Sequence, residues 1–369
     1  MTTATIGIRL KALREKEKIS QDELAQKFGF KDRQTLSAIE TGERRVSAEE
    51  LLRAVEVFGV PLEYFTDPFL LAGEGRFSWR QNGVIGHALT DYEVSAGRWI
   101  AAFRELALQV GREAPLFRHA LTLNSQSSFA EATEAGERFA AEFKLGDVPA
   151  THLAEVMEHK LHLLVMMVDP IEGVSGAACR LPELDIVLIN RREALGRRHF
   201  DLAHELFHIL TWDAMPPDHV EDVAPRKRSR VEILADNFAS AVLMPAKLVD
   251  ELADWGSLSD DALINNLNAA ADQLQVTSSA LRWRLVGMDR LGKIVAGRIP
   301  EDRLRNNGHE KVVKEPLPLL FSKTFIEVIA RAIDEGRVAV RRVSYLLNIS
   351  VDELPELFAV HGVEPPFEL

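Results

Sequence analysis

His204 and His208 stand four residues apart in the segment HFDLAHELFHIL, with Glu205 directly after the first of them. On a helix that spacing sets the two imidazoles one above the other, able to offer two nitrogens to one ion. Glu205 lies about 100° further round the helix, where a carboxylate can take a proton from water at the ion without binding the ion itself. A catalytic zinc takes three protein ligands and keeps one position for water, so the pair demands a further donor downstream. Glu232 supplies it from the helical segment RVEILADNFASAVLMP, and Asp236 follows one turn later on the same face. Glu232 is then the third ligand, while Asp236 accepts the other N–H of a histidine ligand and fixes its tautomer. The neighbours Ala203, Leu206, Phe207, Ile209 and Leu210 make the motif helix largely apolar. Its histidines and glutamate are therefore buried, and buried polar groups require partners that a metal provides.

The elements that must hold this constellation follow from the surrounding texture. A helix (THLAEVMEHK) precedes three β-rich pieces, LHLLVMMVD, GVSGAACR and DIVLIN, which are expected to form a small antiparallel sheet. Helices resume at Ala194 and run through the motif. The charged stretch PEDRLRNNGHEKVVKEP separates them from a last helical segment at 318 to 360. Upstream, residues 88 to 145 have helical spacing but no chemical motif, and PFLLAGEGRFSWRQNG reads as an ordered connector, too aromatic for a flexible linker.

At the N-terminus, residues 6 to 65 read as five short amphipathic helices. Ser20 and Ser47 sit as N-caps, and Glu23 completes a capping box with Ser20. Within SQDELAQKFGFKDRQTLSAIETGERRVS, the apolar Leu24, Ala25, Phe28, Leu36 and Ile39 form a common core. This segment resembles the XRE, or phage-repressor, type of helix-turn-helix. The resemblance implies a third helix in the major groove of double-stranded operator DNA, with Arg33, Gln34 and Ser37 as base readers. Gln21, Arg44 and Arg45 are placed for phosphates. The turn GFKD is one residue longer than the common pattern, which leaves the base-reading positions open to a slip of one.

The second half resembles the ImmA/IrrE metallopeptidases over roughly 144 to 360, through VSGAACR, IVLIN, GRRHFDLAHELFHIL, EILADNFASAVLMP and EGRVAVRRVSYLLNISVDEL. Matched residue by residue, the family's zinc ligands fall on His204, His208 and Glu232 and its catalytic base on Glu205. The chain departs from many members at Phe207, where they carry glycine, which bears on substrate fit more than on catalysis. The resemblance implies a narrow, gluzincin-like endopeptidase that cuts a partner repressor or antitoxin-like protein in a stress, DNA-damage or mobile-element response. The strand Asp185 to Asn190 is a candidate to hold the substrate chain by β-augmentation. His199 and His219, near the motif in sequence, read more simply as surface residues than as groups steadying an intermediate.

Composition bounds the rest. With 369 residues the chain exceeds one ordinary core, and 46% hydrophobic with 27% charged residues is ordinary globular usage. The single cysteine, Cys179, excludes a disulfide framework and a multi-thiolate zinc site, so nitrogen and oxygen donors must serve. No apolar run suits a membrane helix and no signal peptide opens the chain, which makes it cytoplasmic by expectation. Net charge is -12, yet residues 1 to 66 balance 11 basic against 11 acidic side chains, so any DNA contact is local.

The expected fold is α+β and mostly α, a five-helix XRE-type domain followed by a zincin-like peptidase domain. Its expected divisions are a DNA-binding domain at 1–67, a connector and helical region at 68–145, the peptidase domain at 146–300 and a helical appendage at 301–369. The expected assembly is a homodimer on a palindromic site, with single-stranded DNA a candidate activator. The alternative is an XRE transcription factor or antitoxin whose peptidase-like domain binds a ligand or partner without hydrolysing peptides.

Overall fold

The structure, a computed structural model, describes residues 3–84, 86–112, 118–222, 229–304 and 316–367. Residues 305–315 of the charged stretch lie outside the described residues. Five helices open the chain: α1 (Thr3–Lys16), α2 (Gln21–Phe28), α3 (Arg33–Glu40), α4 (Ala48–Phe58) and α5 (Glu63–Thr66). Both expected caps form. Ser20 and Ser47 each close a full capping box, with Glu23 and Glu50, so orphan amides at two helix starts are satisfied. Leu24, Ala25, Phe28, Leu36 and Ile39 are all buried in one cluster with Leu10 and Phe65.

Beyond α5 the chain is tied back onto this unit. Arg9 of α1 is fully buried. Its Nε donates to Glu74 at 2.9 Å and its Nη1 donates to the carbonyls of Tyr64 and Asp67. Gly73, at φ 87°, lies so close to α1 that a Cβ there would stand 2.3 Å from Ala12 Cβ.

The stretch read as a connector then supplies a strand, β1 (Arg76–Gln81), followed by α6 (Gly86–Gln109), α7 (Phe129–Glu142) and α8 (Pro149–His159). Next come β2 (Leu164–Val168), β3 (Val174–Arg180), β4 (Asp185–Asn190), α9 (Leu195–Thr211), β5 (Val220–Asp222) and α10 (Arg230–Leu243). Helices α11 (Ala246–Leu252), α12 (Asp260–Leu274), α13 (Ser278–Gly287), α14 (Lys293–Arg298), α15 (Lys323–Asp334), α16 (Val340–Leu347) and α17 (Leu354–Val360) complete the described chain.

The five strands form one sheet in the order β2-β4-β3-β1-β5. It is mixed, where an antiparallel sheet was expected. β3 runs antiparallel to both β4 and β1, while the outer pairs β2–β4 and β1–β5 are parallel. A parallel pair needs a crossover element between its strands, and the chain supplies β3 for one and α6 to α9 for the other. β4 is paired on both sides, so Asp185–Asn190 has no free edge and the β-augmentation expected there is excluded. The edges are β2 and β5.

Both faces of the sheet are covered. Val165, Ala178, Val187 and Ile189 pack toward α7, α8, α9 and α10 in one core. Phe77, Trp79, Met166, Ala177, Cys179 and Leu188 pack toward α6, α15, α16 and α17 in another. The C-terminal helices, read from sequence as an appendage, thus build the second core. No helix among the described residues is long and apolar enough to cross a membrane.

Candidate metal centre

The motif helix α9 is buried almost all round because it lies between the sheet and α10, and His204, Glu205 and His208 are each fully buried. Its histidines face α10, whose start is fixed by Ser229. The Ser229 side chain accepts from the Glu232 amide at 3.3 Å, which sets Glu232 in the first turn and Asp236 one turn on. Gly136 of α7 lets α10 approach closely, since a Cβ at that position would lie 2.5 Å from the Phe238 carbonyl. Phe207 fills the space between the helices, its ring 5.6 Å from Phe238 and 5.8 Å from the His208 ring, so this departure from glycine is a packing feature.

Four donors converge. His204 Nε2 lies 3.2 Å from Glu232 Oε2 and 3.1 Å from His208 Nε2, and His208 Nε2 lies 3.3 Å from Glu232 Oε1. The fourth, Glu221 Oε2 on β5, lies 3.3 Å from His208 Nε2. Nitrogen and oxygen donors around a tetrahedral zinc at about 2.0–2.1 Å stand roughly 3.3 Å from one another. His204, His208 and Glu232 therefore have the mutual spacing of ligands on one ion, and Glu221 joins them with all four donor atoms within 4.8 Å of one another. They also form the one group among the described residues with metal-ligating geometry.

Second partners orient the ring nitrogens. His204 Nδ1 donates to Asp236 Oδ1 at 3.0 Å, which leaves its Nε2 lone pair facing the other donors. Arg80, on β1, approaches that lone pair, with Nη1 2.7 Å from His204 Nε2 and Nε 3.2 Å from Asp201 Oδ1. A guanidinium can only donate and a carboxylate can only accept, so Nε2 stands between Arg80 and Glu232; burial and Arg80 oppose a charge on His204, but Glu232 and Asp236 raise its pKa. Arg80 is itself nearly fully buried, and although burial opposes its charge, Asp201 above all keeps its pKa raised.

The electrostatics are those of a cation site. Burial opposes a charge on His208, but Glu221 and Glu232 hold its pKa well above the ordinary imidazole value. Burial works against Glu232 ionisation as well, yet the two histidines keep its carboxyl far below the usual range. Glu205 behaves differently. Burial pushes its pKa up to about 7, and neither carboxylate oxygen has a hydrogen-bond partner among the described residues. A buried, unpartnered carboxylate poised near neutrality beside the donors is suited to accept and return a proton. The donor set and this orphan base together fit a catalytic zinc.

The structure thus brings together His204, Glu205, His208, Glu232 and Asp236. His199 Nδ1 instead bonds the Gln275 carbonyl at 2.8 Å, and His219 pairs with Glu93 at 2.7 Å on the surface. In the helix-turn-helix, Arg33, Gln34 and Arg45 are exposed and Ser37 is half-buried. Arg44 is held by both Glu50 oxygens, at 2.8 and 3.0 Å, and Gln21 donates to Glu40 at 2.8 Å. Sequence reading missed Arg80 and Glu221. The alternation in RFSWRQ was the available signal for Arg80: Phe77 and Trp79 enter the α6 side, so Ser78 and Arg80 must face α9. Glu221 sits in a three-residue strand that carries no readable pattern.

Residues 10–65 match the family model described as helix-turn-helix, and residues 166–285 match the IrrE N-terminal-like domain. Over 74 residues the chain is 38% identical to the radiation response metalloprotease IrrE of Deinococcus deserti. That stretch is 19% of this chain and 26% of the relative, so the match spans about a quarter of that protein's length. No solved structure matches. The chain therefore carries an N-terminal helix-turn-helix and a domain similar to the IrrE N-terminal-like family, and the four converging donors all fall within the latter.

Proposed function

We propose that the protein is a DNA-binding regulator with zinc-dependent endopeptidase activity, which cleaves a partner repressor or antitoxin-like protein in a stress, DNA-damage or mobile-element response. The observation that carries this reading is the pairing of three ligand-spaced donors, His204, His208 and Glu232, with a buried carboxylate, Glu205, that has no hydrogen-bond partner among the described residues. A purely structural ion needs no such base.

His204, His208 and Glu232 would hold a zinc ion, which would supply a Lewis acid for the scissile carbonyl. Asp236 keeps His204 in the tautomer whose Nε2 is free to ligate. Glu205 takes the proton from the attacking water at its carboxylate oxygen and returns it to the departing amine nitrogen. A pKa near 7 suits it to both halves of that transfer. Glu205 is fully buried on the sheet side of α9, where a Cβ built at Gly176 of β3 would lie 3.8 Å from its Cγ, so the base is desolvated.

The helix-turn-helix, presenting Arg33 and Gln34 at the start of α3, brings this activity to operator DNA in the cytoplasm, with Ser37, Arg45 and the more tightly held Gln21 and Arg44 around it. A homodimer and activation by single-stranded DNA complete the proposal. Incubating the wild type and Glu205→Gln with repressors encoded nearby, with and without single-stranded DNA, tests it. Cleavage by the wild type alone is expected, and equal cleavage by both would remove Glu205 from the chemistry.

A further inference from the structure

Glu221 has no role in the reading above, yet its carboxylate completes the donor set. Glu221 Oε2 lies 3.3 Å from His208 Nε2, and one atom from each of His204, His208, Glu221 and Glu232 lies within 4.8 Å of all the others. The side chain is buried, and Oε2 has no hydrogen-bond partner among the described residues. A buried carboxylate oxygen is costly unless a cation meets it, and the group that Oε2 faces, His208 Nε2, is itself one of the metal donors. On the reading that this centre binds zinc for hydrolysis, we infer that Glu221 is a fourth protein ligand, so that β5 closes the resting centre and must withdraw before water can enter.

The four ligands are not held equally. His204, His208 and Glu232 sit on helices of 17 and 14 residues packed into the main core. Glu221 sits on a strand of three residues, paired with β1 alone through Trp79↔Val220, Arg80↔Glu221 and Gln81↔Asp222. The approach to β5 adds little. Trp79 N donates to the His219 carbonyl at 2.9 Å, and the His219–Glu93 pair is solvent-exposed on the histidine side. An exposed pair of this kind contributes little. Val220 is 39% exposed. Glu221 is therefore the ligand that leaves at least cost.

Its departure would also uncover the edge of β1, which lies directly beside the donors through Arg80. An extended substrate segment can add to such an edge by backbone pairing. Substrate and β5 then compete for the same edge, and binding of the substrate opens the ion's fourth position. In this scheme the closed centre protects the cell from indiscriminate hydrolysis.

The test uses the full-length protein, its Glu221→Gln variant and its Glu221→Ala variant, each loaded with cobalt(II). Visible absorption is followed as acetohydroxamate is added, and zinc affinity is measured by competition with a chromophoric chelator. Loss of an outer partner alone costs roughly 10–100-fold in metal affinity, so loss of a ligand should cost at least tenfold. The expected result is weaker metal binding in both variants, with hydroxamate perturbing their spectra at concentrations that leave the wild-type spectrum unchanged. If either variant misfolds by circular dichroism, the other carries the comparison. A wild type that binds metal but takes up hydroxamate as readily as the variants, with affinities within twofold, overturns the assignment of Glu221 and leaves the peptidase reading standing. A wild type that binds no metal overturns both.

Discussion

Gly136→Ala tests whether the close contact of α7 with α10 positions the metal ligands. A Cβ at Gly136 would lie 2.5 Å from the Phe238 carbonyl oxygen, 2.8 Å from Ala241 Cβ and 3.1 Å from the Val242 nitrogen. Ordinary contact begins at 3.4 Å, so the backbone of α10 must recede by about 0.9 Å. Two of the three obstacles are backbone atoms, which cannot rotate away. Overpacking of this kind costs about 1–3 kcal/mol. Alanine in a helix interior returns up to about 1 kcal/mol relative to glycine. The net expectation is a loss of about 1 kcal/mol in resistance to chemical denaturation.

The larger effect is on the ion, because α10 carries Glu232 and Asp236. Metal–ligand distances tolerate about 0.2 Å of error, several times less than the displacement required. Zinc affinity, measured by chelator competition, should fall at least tenfold. A variant as stable as the wild type or more so, with unchanged zinc affinity, would refute the reasoning.

Asp236→Ala removes the acceptor for His204 Nδ1–H and should weaken zinc binding by about 10–100-fold while leaving the helix-turn-helix unaffected. Zinc binding should also release a proton, because burial resists the charge on His208 but Glu221 and Glu232 keep its folded-state pKa well above 6.5. The proton is fully present below that raised value and lost above it, so apparent affinity should rise by about tenfold per pH unit through neutrality. Calorimetry in buffers of different ionisation enthalpy measures the released proton, and a pH-independent affinity would contradict the site as described. Arg33→Ala combined with Gln34→Ala should reduce operator binding in fluorescence anisotropy at fixed salt without changing zinc content, since both side chains are exposed on α3. Unchanged binding would move base reading to other residues.

What could be read in the sequence was whatever repeats locally. Helical periodicity and caps marked α1 to α5 with their shared core, and the four-residue spacings placed His204 with His208 and Glu232 with Asp236. The physical reason is that a helix's partners lie within one turn along the chain. Arg80 and Glu221 escaped because a sheet brings them to the centre from 124 residues before His204 and from a strand too short to show alternation. The β1 segment looked like a connector since helical periodicity lapses there into a stretch with the glycine content of a linker, whereas it forms a strand whose Ser78 and Arg80 are buried. Strand order was equally out of reach. Nothing in DIVLIN distinguishes an edge strand from the interior strand it is, because a run buried on both faces is uniformly apolar wherever it pairs.

The central claim is that His204, His208 and Glu232 hold a catalytic zinc served by Glu205. Elemental analysis of the full-length protein purified without chelators, beside Glu205→Gln and His208→Ala, tests it most directly. One zinc per chain is predicted in the wild type and in Glu205→Gln, with His208→Ala largely empty. Zinc-free wild-type protein that cannot be reconstituted, or His208→Ala retaining a full complement, would contradict the account.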